Sequence, residues 1–316
     1  MLLSYSYLNL RKGMQANEQT PLVSVIVPTY KRREKLINCL SSIRASSYEN
    51  LEIVVINDDP SENLDMEVEA YGAKYFHNNE EMYVVRNRNR GAQLSNGEIL
   101  FFVDDDNVLH EDTISNLVKQ YVKVENIGLL GPLMLNSEHE LWFWGAHANW
   151  LKLFPSPLPK NFSNDQLVHT DVIPNAYMIS KELYFRIGGE DESLWYNEEF
   201  DLALRLEKEG FKNYIYTGSE ITHDYGSLFR HITALRLNII IRGMLIVERR
   251  YASTLQFLVF SVYFAGYILF YSLYRIPYSM RVKNRRDYYS ALFRGLMKGI
   301  FSTSRILEKN LIRDVE

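Results

Sequence analysis

Apolar positions over the first hundred residues fall into two alternating rhythms. LVSVIVP (22–28), LEIVVIN (51–57), AKYFHN (73–78) and EILFFV (98–103) are short apolar runs rich in β-branched and aromatic residues. Each ends in polar residues or proline, the pattern of a buried strand. Between them, Leu36, Ile37, Leu40 and Ile43 recur at helical spacing within 33–45. Residues 62–71 and 84–96 also read as helices, the second stopped by Gly97. Strands alternating with helices predict an α/β fold, a mostly parallel sheet with helices on both faces. Ligands in such sheets sit outside the carboxyl ends of the strands. The polar residues that follow each strand therefore share one edge: Thr29 and Tyr30, then Asp58 and Asp59, then Asp104, Asp105 and Asp106.

Length and composition add a core and a boundary. The 316 residues are 47% hydrophobic, enough for one large domain or two smaller ones. Residues 1–227 carry 20 Lys/Arg against 34 Asp/Glu, whereas residues 228–316 carry 15 against 5. An acidic body and a basic tail are two parts with two jobs. We expect an extension over 1–20, a main α/β domain over 21–227 and a helical C-terminal region over 228–316. The single cysteine, Cys39, rules out an internal disulfide and fits a reducing compartment. MLLSYSYLNLRKG places its apolar part before its charges, the reverse of a secretory signal, so no export is expected.

The run FFVDDDN (101–107) raises the sharpest question. Like charges about 4 Å apart near a protein surface repel by about 4 kcal/mol, so something positive must sit on the three carboxylates unless they are fully solvated. The chain has no P-loop and no GxGxxG, which removes the usual glycine-rich phosphate cradle. A hard divalent cation held by carboxylate oxygens is the other way to hold a diphosphate.

Four segments, in this order, resemble the motifs of family 2 glycosyltransferases with the GT-A fold, over roughly residues 22–226. VSVIVPTYKR is similar to the opening strand and nucleotide-binding turn, and VINDDPSE to the following aspartate pair. RNRGAQLSNGEILFFVDDDN is similar to the Arg-Asn-x-Gly, Gly-Glu and Asp-x-Asp run. GGEDESLWYNEEFDLALRLEKEGF is similar to the Gly-Gly and acidic-pair segment. The resemblance implies a nucleotide site formed by Pro28, Thr29, Tyr30, Arg32, Asp58, Arg88, Asp104 and Asp105. It implies a divalent metal, Mg²⁺ or Mn²⁺, held by Asp106 with Asp104 and His223. It makes Glu199 the general base, with Glu198 as the fallback, because Glu stands where the family commonly has Asp. It implies inversion at the sugar carbon and a nucleotide-diphospho-sugar donor. Asp224 and Asn175 are lesser binding candidates.

Two features bear on the acceptor. ELWFWGAHANW (140–150) packs three tryptophans into eleven residues, and FPSPLPK (154–160) reads as an ordered loop. LQFLVFSVYFAGYILFYSLY (255–274) runs twenty residues without a charge, about the length of a bilayer span. Arg242, Arg249 and Arg250 precede it, and Arg275, Arg281, Lys283, Arg285 and Arg286 follow. Positive charge at both ends suits a helix lying in an anionic cytoplasmic membrane face, although a single span or a packed soluble helix remains open. A lipid-linked or other glycan acceptor follows from that architecture. The basic residues flank an apolar run without forming a polar face with aromatic platforms, which argues against nucleic acid. No Gln-x-x-Arg-Trp sequence is present, so single-sugar addition is expected. A nucleotidyltransferase and a non-catalytic sugar-nucleotide-binding protein at the membrane are the competing readings.

Overall fold

The computed structural model describes residues 20–151, 154–224, 234–275 and 285–302. The strands are β1 (Val23–Thr29), β2 (Leu51–Asn57), β3 (Lys74–His77), β4 (Ile99–Val103), β5 (Asn107–Leu109), β6 (Ile127–Leu135), β7 (Leu141–Phe143), β8 (Ala146–His147), β9 (Ser156–Pro157), β10 (Leu167–His169), β11 (Ala176–Ser180) and β12 (Lys212–His223). The helices are α1 (Arg33–Arg44), α2 (Asp65–Glu69), α3 (Tyr83–Leu94), α4 (Thr113–Lys123), α5 (Lys181–Arg186), α6 (Glu198–Lys208), α7 (Ala234–Tyr251), α8 (Thr254–Phe270) and α9 (Arg285–Phe301). The expected helix over 62–71 is shortened to the five residues of α2, with Val68 buried and Leu64 buried at its N-cap.

Ten strands form one sheet, ordered β10-β12-β6-β11-β4-β1-β2-β3, with β5 paired to β12 and β7 to β6. β1 pairs in parallel with β2 and β4, and β2 with β3, so the expected parallel half is present. Beyond β4 the sheet turns mixed: β11 runs antiparallel to β4, while β12 is parallel to β6. Alternation along the strands sorts side chains to two faces. Val25, Val27, Ile53, Val55, Phe101 and Val103 meet α1 and α4 on one face. Ile26, Val54, Ile56, Leu100 and Phe102 meet α3, α5 and α6 on the other. Gly97 is where close approach demands glycine: a Cβ there would lie 2.6 Å from the Ser24 backbone nitrogen. The parallel register brings Thr29 level with Asn57, so the turns after β1, β2 and β4 open on one edge.

The tail is not detached from this body. Ile246 and Val247 of α7 pack with Leu194, Phe200 and Leu204, and Trp150 rests against the same cluster. Arg250 reaches Asp191 and Asp201 at 2.8 and 3.0 Å, and the Tyr251 hydroxyl donates to Asp201 at 2.8 Å. Helix α9 packs on α7, burying Ala291 and Leu292. Helix α8 differs. Together with the turn that follows, Thr254–Tyr274 is the one segment among the described residues long and apolar enough to cross a membrane, and only 12% of its apolar window is buried. Leu255, Leu258, Val262, Leu269 and Leu273 are exposed. The boundary at 227/228, Arg281, Lys283, the first nineteen residues and the side chains of Arg275 and Arg285 lie outside the described residues.

Candidate active site

Along the shared sheet edge lies a cleft of about 290 Å³. Pro28, Thr29, Tyr30, Arg32, Asp58, Arg88, Asp104, Asp105, Glu198 and Glu199 line it, together with Val84 and Asn87. Local backbone geometry builds its rim. Lys31, Tyr83 and Asn197 hold positive φ, at 56°, 66° and 66°. That conformation is cheap for Asn and costly for Tyr. Asn197 caps α6 in this state, which turns Glu198 and Glu199 into the cleft. Tyr83 is held by its backbone N–H donating to Asp58 Oδ2 at 2.8 Å and by its ring stacking on Trp195 at 4.0 Å.

The positive charges demanded by the three aspartates are two arginines. Arg32 Nη1 reaches Asp105 Oδ1 at 3.0 Å and Asp106 Oδ2 at 2.8 Å. Arg88 Nη2 reaches Asp104 Oδ1 at 2.8 Å, and its Nη1 reaches Glu190 at 3.0 Å and Glu199 at 2.9 Å. Glu198 lies 3.6 Å from the same nitrogen. Arg88 is 1% exposed, so one buried guanidinium on the cleft floor joins the Asp-rich turn to the acidic pair of α6. Glu190, itself wholly buried, also accepts from the Tyr177 hydroxyl at 2.6 Å.

The acidic groups around it differ in proton affinity. Burial raises Glu190 to about 7 against the pull of Arg88. Burial and the adjacent Glu199 push Glu198 well above the usual carboxylate range, again against Arg88. Burial raises Asp105 to about 6 in spite of Arg32 and the Thr29 hydroxyl. Burial also acts on Asp106, but His223, Arg32 and Lys35 outweigh it and hold that carboxyl below its ordinary value.

Asp58 occupies the cleft wall with both oxygens engaged. Oδ1 accepts from Asn78 Nδ2 at 2.8 Å and the Met82 N–H at 2.7 Å, and Oδ2 from the Tyr83 N–H. Thr29 Oγ1 donates to Asp105 Oδ2 at 2.8 Å, whereas the Tyr30 hydroxyl points to Glu81. Asn175 Nδ2 donates to Asp104 Oδ2 at 2.8 Å, which couples β11 to the Asp-rich turn. Asp224 lies at the mouth, its backbone N–H donating to the Asp106 carbonyl at 2.8 Å.

Asp106 and His223 are brought together. Asp106 Oδ1 is buried, lies 3.3 Å from His223 Nε2 and accepts no aligned hydrogen bond among the described residues. Neighbouring ligands on a small octahedral cation are separated by about 3 Å. A carboxylate oxygen and an imidazole nitrogen at that spacing fit a divalent ion. Asp104 is turned away from this pair, toward Arg88 and Asn175. Glu190, within GGEDE, has no role legible along the chain, because its partners, Arg88 and Tyr177, are 102 and 13 positions away. Trp142 belongs to the aromatic run of residues 140–150. It packs on the His223 ring at 5.0 Å.

The glycosyl transferase family 2 model matches residues 24–188, more than half of the chain. An uncharacterised glycosyltransferase of Rickettsia typhi is 26% identical over 205 residues, which span 61% of this chain and 61% of that one. The chain thus spans about three fifths of the length of such curated relatives. Among solved structures, GalNAc-T7 with UDP, GalNAc and Mn²⁺ superposes with a TM-score of 0.60 at 18% identity, covering 73% of this chain and 48% of that one. A Pyrobaculum calidifontis mannosyltransferase in complex with GDP-Man and Mn²⁺ gives 0.58 at 14% identity and covers 95% of both chains. Identities this low speak for a shared GT-A fold.

Proposed function

The chain belongs to glycosyl transferase family 2, and from that premise we propose that it moves one sugar from a nucleotide-diphospho-sugar to an acceptor hydroxyl, with inversion. The observation that carries this reading is Arg88. One buried guanidinium holds Asp104 of the Asp-rich turn and Glu199 of α6 across a single cleft. Donor-side and acceptor-side carboxylates are thereby fixed relative to each other before any ligand arrives, which is what a displacement at one carbon needs.

In this reading Thr29, Tyr30 and Asp58 form the wall for the nucleotide, and Arg32 brings positive charge toward the diphosphate. Asp106 and His223 would hold a Mg²⁺ or Mn²⁺ ion, which when bound neutralises charge on the departing nucleoside diphosphate. Glu199 takes the acceptor proton. It is better placed than Glu198 because its side chain is 16% exposed in the cleft against 9%. Burial and the adjacent Glu199 also raise the proton affinity of Glu198, which disfavours it as the base. Glu190 is wholly buried behind Arg88 and cannot reach a sugar carbon to act as a second nucleophile. A single accessible carboxylate on the acceptor side supports inversion.

The acceptor side is walled by aromatics. A second cleft of about 260 Å³ is lined by Trp142, Trp144, Pro155, Pro157, Tyr196 and Asn197, the last adjoining Glu198. The exposed apolar face of α8, with exposed Arg249 and Arg286 near its ends, supports a seat on the cytoplasmic face of the membrane and a lipid-linked glycan acceptor.

The test is transfer with Glu199→Gln. The substitution is expected to lower transfer by about 10²–10⁴-fold while leaving nucleotide binding intact. The released product should be a nucleoside diphosphate; pyrophosphate would indicate nucleotidyl transfer. Unchanged transfer in Glu199→Gln would remove this residue from the mechanism.

A further inference from the structure

Far from the acidic cleft, at the opposite end of α6, two histidines and an aspartate converge. Ligand atoms of His147, His169 and Asp171 lie within 4.8 Å of one another. The three residues come from two strands and the loop that follows, and the backbone holds them in place. The Asp171 N–H donates to the Ala146 carbonyl at 3.0 Å, and the Val172 N–H to the same oxygen at 3.1 Å. Buried Thr170 stitches the segments from both sides, accepting from the Ala146 N–H at 3.0 Å and donating to the Ala146 carbonyl at 2.9 Å. Asp171 Oδ2 accepts from the Ala148 N–H at 2.7 Å and lies 3.2 Å from His147 Nδ1. The imidazoles of His147 and His169 are 5.6 Å apart, centroid to centroid.

His169 carries a further mark of a metal ligand. Its Nε2 lies 2.6 Å from Glu207 Oε1, near the C-terminal end of α6. Carboxylates in this position fix the tautomer and orientation of metal-bound imidazoles. We propose that His147, His169 and Asp171, with Glu207 orienting His169, form a three-ligand site for a cation of the Zn²⁺ class, its fourth position left to water. Two imidazoles and one carboxylate suit this borderline ion, whereas Mg²⁺ prefers oxygen alone. Ligand atoms bound 2.0–2.2 Å from one ion sit about 3.4 Å apart, so closure needs side-chain movement on the order of 1 Å.

The site has a consequence for the molecule. β8 and the residues before it carry Trp144 and Gly145, which line the aromatic cleft. A cation at His147, His169 and Asp171 would pin that wall to the sheet edge at β10, and through Glu207 to α6, the helix that begins with Glu198 and Glu199. The proposal is independent of the acidic cleft and of any glycosyl transfer.

The test uses the tag-free full chain, stripped with a chelator and titrated with Zn²⁺ by calorimetry, with Co²⁺ absorption as a second readout of coordination. In Asp106→Ala, which removes the acidic-cleft site, one equivalent of Zn²⁺ is expected to remain, and it should not be displaced by Mn²⁺. His169→Ala should weaken binding by more than about tenfold. His147→Gln should do the same, and because His147 is exposed its fold is preserved. Zn²⁺ binding should also raise the unfolding temperature of the wild type and not of the His147 variant. Absence of saturable Zn²⁺ uptake, or uptake that survives both histidine substitutions, would overturn the proposal and leave two hydrogen-bonded His–carboxylate pairs. Uptake lost in Asp106→Ala would overturn it too, by moving the ion to the acidic cleft.

Discussion

At the scale of single residues, the account turns on Arg88. Its side chain has almost no exposure, and it faces Asp104, Glu190, Glu198 and Glu199. Removing one partner of a buried ionic cluster strands the others. Arg88→Met is therefore expected to cost about 3–5 kcal/mol of stability at neutral pH, measured by urea unfolding. A loss below about 1 kcal/mol would mean that the carboxylates simply take up protons and the guanidinium holds little together. From the sequence alone the triplet Asp104-Asp105-Asp106 points either to full solvation or to a positive counterpart, expected there as a divalent cation; the structure supplies two arginines. Which residues answer was not legible. Arg32 lies 73 and 74 positions from Asp105 and Asp106, and Arg88 lies 111 positions from Glu199. Pattern along the chain carries no information about such pairs until the sheet brings β1, α3, β4 and α6 together.

At the scale of elements, the strands were the readable part. LVSVIVP, LEIVVIN and EILFFV became β1, β2 and β4 almost residue for residue, because strands buried on both faces are continuous apolar runs. The second half of the sheet was harder to see. β11 runs antiparallel to β4 and β6, and β12 parallel to β6 but antiparallel to β10 and β5, directions set only after long excursions, while two-residue β8 and β9 have no periodicity to detect. Helix α7 was hidden in a different way. Its apolar face packs on Phe200 and Leu204 of α6, so the tail is an extension of the body's core, although its charge set it apart in the sequence. The same junction buries Glu248, beside a small void lined by Trp150 and Phe200. Burial raises Glu248 to about 7 from a usual value near 4.5. Between those pH values the folded state keeps a proton that the unfolded chain has released. Its contribution is therefore most favourable below pH about 4.5 and is lost as pH rises through about 7. Glu248→Gln, which has no proton to lose, should match the wild type near pH 4.5 and exceed it by about 1–2 kcal/mol at pH 8 once solvent screening is allowed for. Unfolding curves at the two pH values check this, and an equal offset at both would exclude titration of Glu248 as the cause.

At the scale of the whole molecule, an acidic body is joined to a tail in which helix α8 is almost wholly apolar and little buried. The charge split and the uncharged run were both legible in the sequence, since neither depends on long-range contacts. How the run is covered was not, because amphipathicity alone does not distinguish protein from lipid as the covering phase. If α8 lies on an anionic membrane, the full chain should float with anionic vesicles, less so with zwitterionic ones, and release as salt is raised. Replacing exposed Leu258 and Val262 together by Glu should abolish flotation without changing the unfolding temperature. Wild-type protein that stays with the soluble fraction under all lipid compositions would assign the helix to a protein partner. The most direct test of the central claim is nucleotide binding by calorimetry, with UDP, GDP and dTDP, each with and without Mn²⁺, on the wild type and on Asp106→Ala. The account predicts that one diphosphate binds only with the metal and that Asp106→Ala weakens it by at least about tenfold. If none of the three shows metal-dependent binding, the carboxylates after β4 are an arginine-neutralised turn and the cleft is not a donor site.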